Sequence, residues 1–344
     1  MTDILLDWAP YRLQFKFEAR TSRETMRVKD TYIVRARRGD EVAYGECALF
    51  RGLSADDVPN YEQQLSRFCS NPGEIASCPF SSIRFGIETA LLNLEDPGRI
   101  SWKKAPHGIA INGLIWMGDK DTMARRIKDK LDEGFRVLKL KIGGIHFEDE
   151  LELLELIRRN FPPQDLEIRL DANGSFSPSA ALSRLDALSH FSIHSIEQPI
   201  KAGQPELMHM ICAKSPLPIA LDEELIGTCD VRSKESLLSL VMPQYIILKP
   251  ALCGGLSGAS EWASVADGAG VPYWFTSALE SNIGLDAIAR LAIDKGLNIP
   301  QGLGTGELYF NNIQSPIIRR GPRIFYDSNS TWNVPELNWT TTAS

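Results

Sequence analysis

From about residue 107 onward, short apolar runs recur at regular intervals: Gly108–Ile115, Val137–Ile142, Leu166–Ala172, Ile193–Glu197, Pro218–Asp222, Tyr245–Lys249 and Pro272–Phe275. Amphipathic stretches with helical spacing separate them, for example over 121–133, 148–160, 179–189, 256–268 and 283–294. Regular alternation of strand and helix predicts a parallel sheet. Seven or eight such units favour closure into a barrel over an open doubly wound sheet.

The first hundred residues follow a different pattern. Thr31–Arg37 and Glu41–Gly45 flank the turn signal Arg38-Gly39-Asp40, which predicts a β-hairpin. Helical patterns follow around 60–70 and 81–95, the second ending at Asp96-Pro97-Gly98. Strands first and helices after is an α+β layout. The tail beyond about 306 is Pro-rich and irregular and is expected to pack back on this first domain. The expected organisation is an α+β domain over 1–104, an α/β barrel over 105–305 and the returning tail 306–344.

Composition narrows the function classes. Of 344 residues, 43% are apolar and 24% charged, the balance of a globular protein with a sizeable core. Lys plus Arg number 37 against 44 Asp plus Glu, a net charge of −7. That excess of acid argues against a general nucleic-acid binder and against a polybasic membrane anchor. The opening MTDILLDWAPYRLQF places Asp3 and Asp7 where a secretory leader carries positive charge. No apolar run reaches the ~18 residues of a membrane span. Six cysteines without a CxxC pair read as reduced thiols. The expectation is a cytoplasmic protein whose partner is a small molecule, not nucleic acid or membrane.

In a (β/α) barrel, catalytic groups stand at the C-terminal ends of strands. Those ends read Lys139-Leu140-Lys141, Asp171-Ala172-Asn173, Glu197-Gln198-Pro199, Asp222-Glu223-Glu224 and Lys249-Pro250. Residues at i and i+2 share one strand face, so Lys139 and Lys141 point the same way, as do Asp171 and Asn173. A single acidic strand end is ordinary, because it also caps the following helix. Three on consecutive strands, converging on one rim, repel one another unless a cation intervenes. An oxygen-only set suits a hard divalent ion, Mg²⁺ before zinc, since no histidine accompanies it. His107, His146, His190, His194 and His209 read as structural. Gly254-Gly255 and Gly302-x-Gly304-x-Gly306 can turn backbone N–H groups toward an anion. Neither matches a nucleotide-binding fingerprint.

Taken in order from about 105 to 304, these segments resemble the muconate-lactonizing-enzyme branch of the enolase superfamily. Gly45-Glu46-Cys47 resembles the strand that closes that family's N-terminal capping domain. Arg169–Asn173, Ile247–Pro250, Thr276–Ser281 and Gly302–Thr305 most resemble the o-succinylbenzoate synthases of menaquinone biosynthesis. The resemblance implies a modified (β/α)8 TIM-type barrel under an α+β cap. It implies Asp171, Glu197 and Asp222 as Mg²⁺ ligands. Lys141 would be the general base, Lys139 the neighbouring charge that tunes it, and Lys249 the cation on the opposite face. Asn173, Arg169, Glu223, Ser277, Glu280 and Ser281 are the expected supporting and substrate-contacting residues. The implied reaction is a Mg²⁺-dependent syn dehydration of 2-succinyl-6-hydroxy-2,4-cyclohexadiene-1-carboxylate, by a hydro-lyase. The loop between Glu18 and Lys29 is expected to cover the substrate.

Alternatives remain at this point. An N-acylamino acid racemase or a muconate-type cycloisomerase would use the same two lysines. No histidine follows His209, which excludes a His–Asp dyad from the later strands. Segment 276–281 lacks the Asp-x-Asp of dipeptide epimerases. A barrel that binds a metal-chelating acid without turnover is the reading from another class. It is opposed by the cost of burying two lysines that have no task.

Overall fold

The computed structural model describes residues 4–20, 25–96 and 99–341. Its first element is longer than the sequence pattern suggests. β1 (Leu5–Arg20) pairs antiparallel with β2 (Thr25–Arg38), and the turn at Gly39-Asp40 leads into β3 (Glu41–Cys47). The sequence pattern placed no strand over β1, which contains Pro10. A proline cannot donate to a ladder and normally demotes a central strand. Of the loop expected between Glu18 and Lys29 to cover the substrate, residues 18–20 belong to β1 and 25–29 to β2, while 21–24 lie outside the described residues, as do Pro97 and Gly98.

Both faces of the small sheet are buried. Trp8, Tyr32 and Val34 pack against α1 (Tyr61–Ser70) and α2 (Ser81–Glu95), whose Tyr61, Leu65, Ile83 and Ile87 complete a cap core. Ile33, on the other face, meets Ile283 and Ile313 from beyond the cap. Strand and helix approach closely where Gly45 faces Gly86. A Cβ on Gly45 would stand 1.9 Å from the Gly86 carbonyl oxygen, so neither position accepts a side chain.

A short helix, α3 (Ile100–Lys103), leads to the barrel. The run expected as one strand over 108–115 splits in two. β4 (Ile109–Ala110) leaves to pair elsewhere, and β5 (Gly113–Ile115) opens the barrel sheet. Thereafter strand and helix alternate: α4 (Lys120–Asp132), β6 (Val137–Lys141), α5 (Phe147–Asn160), β7 (Glu167–Asp171), α6 (Pro178–Ser189), β8 (Ser195–Glu197), α7 (Pro205–Lys214), β9 (Ile219–Leu221), α8 (Val231–Val241), β10 (Tyr245–Leu248), α9 (Gly255–Ala269), β11 (Tyr273–Phe275) and α10 (Asn282–Asp294). The described strands β5 to β11 form one parallel sheet in sequence order. Gln301 and Gly302 fill the eighth position. Gln301 bridges to Ile111 and Gly302 to Thr276, each in parallel, so the sheet curls into a barrel.

The tail divides between the two parts. The hairpin β12 (Ile317–Arg320) and β13 (Arg323–Tyr326) pairs with β4 beside the barrel, while β14 (Thr340–Thr341) pairs with β1 of the cap. Buried polar contacts tie cap to barrel. Glu46 of β3 accepts from Ser281 N–H, Ser281 Oγ and Gly284 N–H at the start of α10. Arg99 and Trp102 both reach the buried carboxylate of Asp286. No described helix is long and apolar enough to cross a membrane.

Candidate active site

Barrel strands present alternate residues inward, in layers. Register sets the top layer: Lys141 lies opposite Asp171, and Asp171 opposite Glu197. Asp222 and Lys249 follow the last residues of β9 and β10. The five residues therefore end five strands at one rim. With β6 second and β10 sixth among eight positions, Lys141 and Lys249 stand on opposite sides of the barrel mouth.

Ammonium groups knit the carboxylates together. Lys139, one layer down, reaches up to Asp171 Oδ2 at 2.9 Å and to Glu197 Oε2. Lys141 Nζ donates to the same Asp171 oxygen at 3.0 Å and to Asn173 Oδ1 at 2.8 Å. Lys249 pairs with Asp222 Oδ2, and its Nζ lies 3.6 Å from Glu197 Oε1. Burial alone would raise Asp171, but Lys139, Lys141 and Lys249 outweigh it and hold that carboxyl far below its usual range. Glu197 fares differently: burial, with Asp171 adding to it, pushes it up to about 8 despite Lys139. Burial opposes both Lys139 and Lys249 as cations, yet the surrounding carboxylates win and raise both above the ordinary lysine value.

Above this layer opens a cavity of about 290 Å³. Lys139, Lys141, Asp171, Asn173, Glu223, Lys249 and Ser277 all line it. Glu197 and Asp222 are buried against the ammonium groups and do not line it themselves. Three expected substrate-contacting residues also lie off the cavity. Arg169 faces inward like Asp171 but one layer deeper, where it pairs with Glu167 at 2.7 Å and covers the ring of Trp274. Glu280 is fully buried and accepts from Ser277 Oγ at 2.5 Å. Ser281 caps α10 and binds Glu46. Glu280 and Ser281 support the wall without facing the substrate space.

Sequence reading missed several wall residues. Phe50, Arg51, Gly52 and Leu53 arrive from the cap, on a turn that Asp57 holds through Gly52 N–H and the Arg51 guanidinium. Asn112, Trp116, Thr276 and Thr305 line the barrel side, and each has a buried polar side-chain atom without a hydrogen-bond partner. A Cβ at Gly302 would fall 2.3 Å from Thr276 Oγ1, so glycine there keeps that hydroxyl unobstructed. Thr276 directly follows the end of β11, and both it and Thr305 lie in segments already marked by the family resemblance, though neither was named as a site residue.

A hard cation fits this donor set. The converging groups are carboxylate oxygens, and Glu197 Oε1 is buried without a hydrogen-bond partner. Among the described residues, no group of three or more His, Cys, Asp or Glu stands as a finished metal cage, because lysine ammoniums bridge the carboxylates.

Residues 122–302 match the sequence profile described as Enolase C-terminal domain-like. The chain belongs to the enolase superfamily. Its capped barrel is that of a superfamily enzyme. It is 41% identical to the o-succinylbenzoate synthase of Desulfotalea psychrophila, over 92% of this chain and 97% of that protein. The crystal structure of MenC from Desulfotalea psychrophila superposes with a TM-score of 0.79 at 38% identity, covering 94% of this chain and 99% of that one. A dipeptide epimerase from Enterococcus faecalis, complexed with Mg and the dipeptide L-Leu-L-Tyr, shares the fold with a TM-score of 0.83 at 19% identity. It covers 96% of this chain and 98% of its own.

Proposed function

We propose that this chain is an o-succinylbenzoate synthase. It dehydrates 2-succinyl-6-hydroxy-2,4-cyclohexadiene-1-carboxylate to 2-succinylbenzoate in menaquinone biosynthesis. The observation that carries the reading is the 41% identity over 92% of the chain to an o-succinylbenzoate synthase, supported by Lys141 and Lys249 opposed across one cavity above three buried carboxylates.

The chemistry follows from charge. Removing the ring proton α to the carboxylate creates an enediolate, and a carboxylate makes a poor electron sink unless positive charge waits for it. Asp171, Glu197 and Asp222 would hold Mg²⁺, which when bound supplies that charge. Lys141, in its neutral form, takes the α-proton through Nζ. The electron pair left on carbon moves into the carboxylate and then returns to form the new ring double bond as the C6–O bond breaks. The ammonium just formed on Lys141 gives its proton to the departing hydroxyl on the same face, so water leaves and the ring becomes aromatic. Lys139, fixed between Asp171 and Glu197, places a standing positive charge one layer below Lys141. Lys249 faces the other side of the ring, where its charge attracts the spread negative charge of the π system. The unpartnered hydroxyls of Thr276 and Thr305 suit the distal succinyl carboxylate.

A racemase would need both lysines as bases, one for each enantiomer, whereas the dehydratase needs one base and one cation. The test measures dehydration of the cyclohexadiene beside α-proton exchange of both N-succinyl amino acid enantiomers in D₂O. Efficient dehydration, abolished by chelation and restored by Mg²⁺, is the expected outcome. Negligible dehydration with rapid exchange of both enantiomers would overturn the assignment.

A further inference from the structure

Gln198 sits between two carboxylates of the rim and has no part in the chemistry above. It is fully buried, with φ at +42°, a left-handed conformation that disfavours any residue with a Cβ. Its backbone already joins three strand ends. Its N–H donates to Ala220 O at 2.9 Å, and its carbonyl accepts from Gly174 N–H at 2.7 Å. Glycine would make those backbone bonds with less strain. What glycine lacks is the carboxamide, and every one of its hydrogen bonds is specified. Oε1 accepts from the backbone N–H groups of Asp222 and Glu224, each at 3.2 Å. Nε2 donates to Ile200 O and to Glu224 Oε2, each at 3.1 Å. Two donors on one side and two acceptors on the other allow only this orientation of the amide. Glu224 passes the connection on, its Oε1 accepting from Gly203 N–H at 3.0 Å.

We propose that Gln198 and Glu224 form a latch that positions Asp222 for metal binding, by fixing the backbone N–H of that ligand against the end of the Glu197 strand. The inference rests on the reading that Asp222 is a Mg²⁺ ligand. Groups that orient a ligand without touching the metal alter affinity when lost, by roughly 10- to 100-fold. A residue that only fills space would instead change stability and leave the affinity of the folded protein alone.

The test is calorimetric titration of the purified, chelator-stripped full chain with MgCl₂, beside thermal unfolding in EDTA. Gln198→Met keeps the volume and removes all four side-chain hydrogen bonds. It is expected to weaken Mg²⁺ binding by about 10- to 100-fold. Gln198→Glu alone sets two carboxylates together and is expected to weaken binding as well. Adding Glu224→Gln to it exchanges donor and acceptor across the pair, leaves Ile200 O facing a carboxylate oxygen, and should recover part of the lost affinity. If Gln198→Met does not fold, the exchanged pair against Gln198→Glu decides. Asp222→Asn is the control. Wild-type protein that binds no Mg²⁺, or binding indifferent to Asp222→Asn, overturns the metal reading and the latch with it. Binding that needs Asp222 but is unchanged in Gln198→Met, or not recovered by the exchange, overturns the latch alone.

Discussion

Replacing Glu46 with Ala strikes the joint between cap and barrel. This carboxylate is fully buried and takes five contacts: Thr31 Oγ1 at 3.0 Å, Ser281 N–H at 3.0 and 2.9 Å to its two oxygens, Ser281 Oγ at 2.6 Å and Gly284 N–H at 3.2 Å. Three of the donor groups belong to the first turn of α10, where the helix presents N–H groups without partners of its own and favours an anion. Truncation strands these donors away from water. It also removes one of three carboxylates whose charge offsets the burial of Lys29, the others being Glu280 and Asp30. Water entering the vacated space recovers part of the loss, leaving a destabilisation of about 3–5 kcal/mol. In a chain of 344 residues that corresponds to a melting-point fall of about 4–7 °C. Urea unfolding followed by circular dichroism measures it. Because Ser281 adjoins the cavity wall Ser277–Leu279, KM should rise in the same variant. The double variant Glu46→Ala/Lys29→Met removes the stranded ammonium too, and should be more stable than additivity predicts by roughly 1–2 kcal/mol. A single-variant loss below about 1 kcal/mol, less than the usual cost of one stranded donor, would refute the reasoning.

Lys141→Met should abolish dehydration while Mg²⁺ binding and the melting temperature stay close to wild type, checked by calorimetry and thermal unfolding; residual dehydration near the wild-type rate would remove Lys141 from the base role. Glu150, beside the loop after β6, is pushed up to about 7 by burial, against the pull of the Gly143, Gly144 and Ile145 N–H groups. A carboxyl whose folded pKa exceeds its unfolded value contributes stability that is complete below about 4.5 and lost as pH rises through about 7, a cost reaching about 3 kcal/mol. Glu150→Gln should therefore flatten the fall in stability between pH 5 and pH 8, and an unchanged slope in urea titrations at the two pH values would contradict this.

The barrel was legible because parallel strands are covered on both faces and so read as unbroken apolar runs. A charge that ends such a run is conspicuous, which is why Lys141, Asp171, Glu197, Asp222 and Lys249 could be singled out together. Periodicity reports direction along a strand but not where a long side chain ends. Arg169 lies opposite Lys139, which does line the cavity, but its guanidinium is held by Glu167 and the Pro300 carbonyl, away from the cavity. Glu280 and Ser281 lie in a segment whose neighbours reach the cavity, but their partners, Ser277 and Glu46, turn them toward the barrel wall and the cap. Phe50–Leu53 were invisible for a related reason: they reach the site only through domain docking, which no local pattern encodes. Thr276, Thr305 and Asn112 carry no charge to mark them.

The positive-φ residues expose a further limit of pattern reading. Turn chemistry puts glycine wherever the backbone must enter the left-handed region, since a Cβ there costs about 1–2 kcal/mol. Around this cavity, Asn173, Gln198 and Leu279 occupy such positions with φ of 44°, 42° and 67°. Each holds a contact that glycine would forfeit. Asn173 accepts from Lys141 and donates to Glu223. Gln198 binds the Asp222 and Glu224 backbone, and Leu279 forms part of the cavity wall. Strain retained at three positions in the loops after β7, β8 and β11 is stability given up for side-chain placement, as expected where the chain must aim groups at a ligand. A sequence rule that assigns left-handed turns to glycine misses these positions because the side chain, and not the backbone, decides the residue.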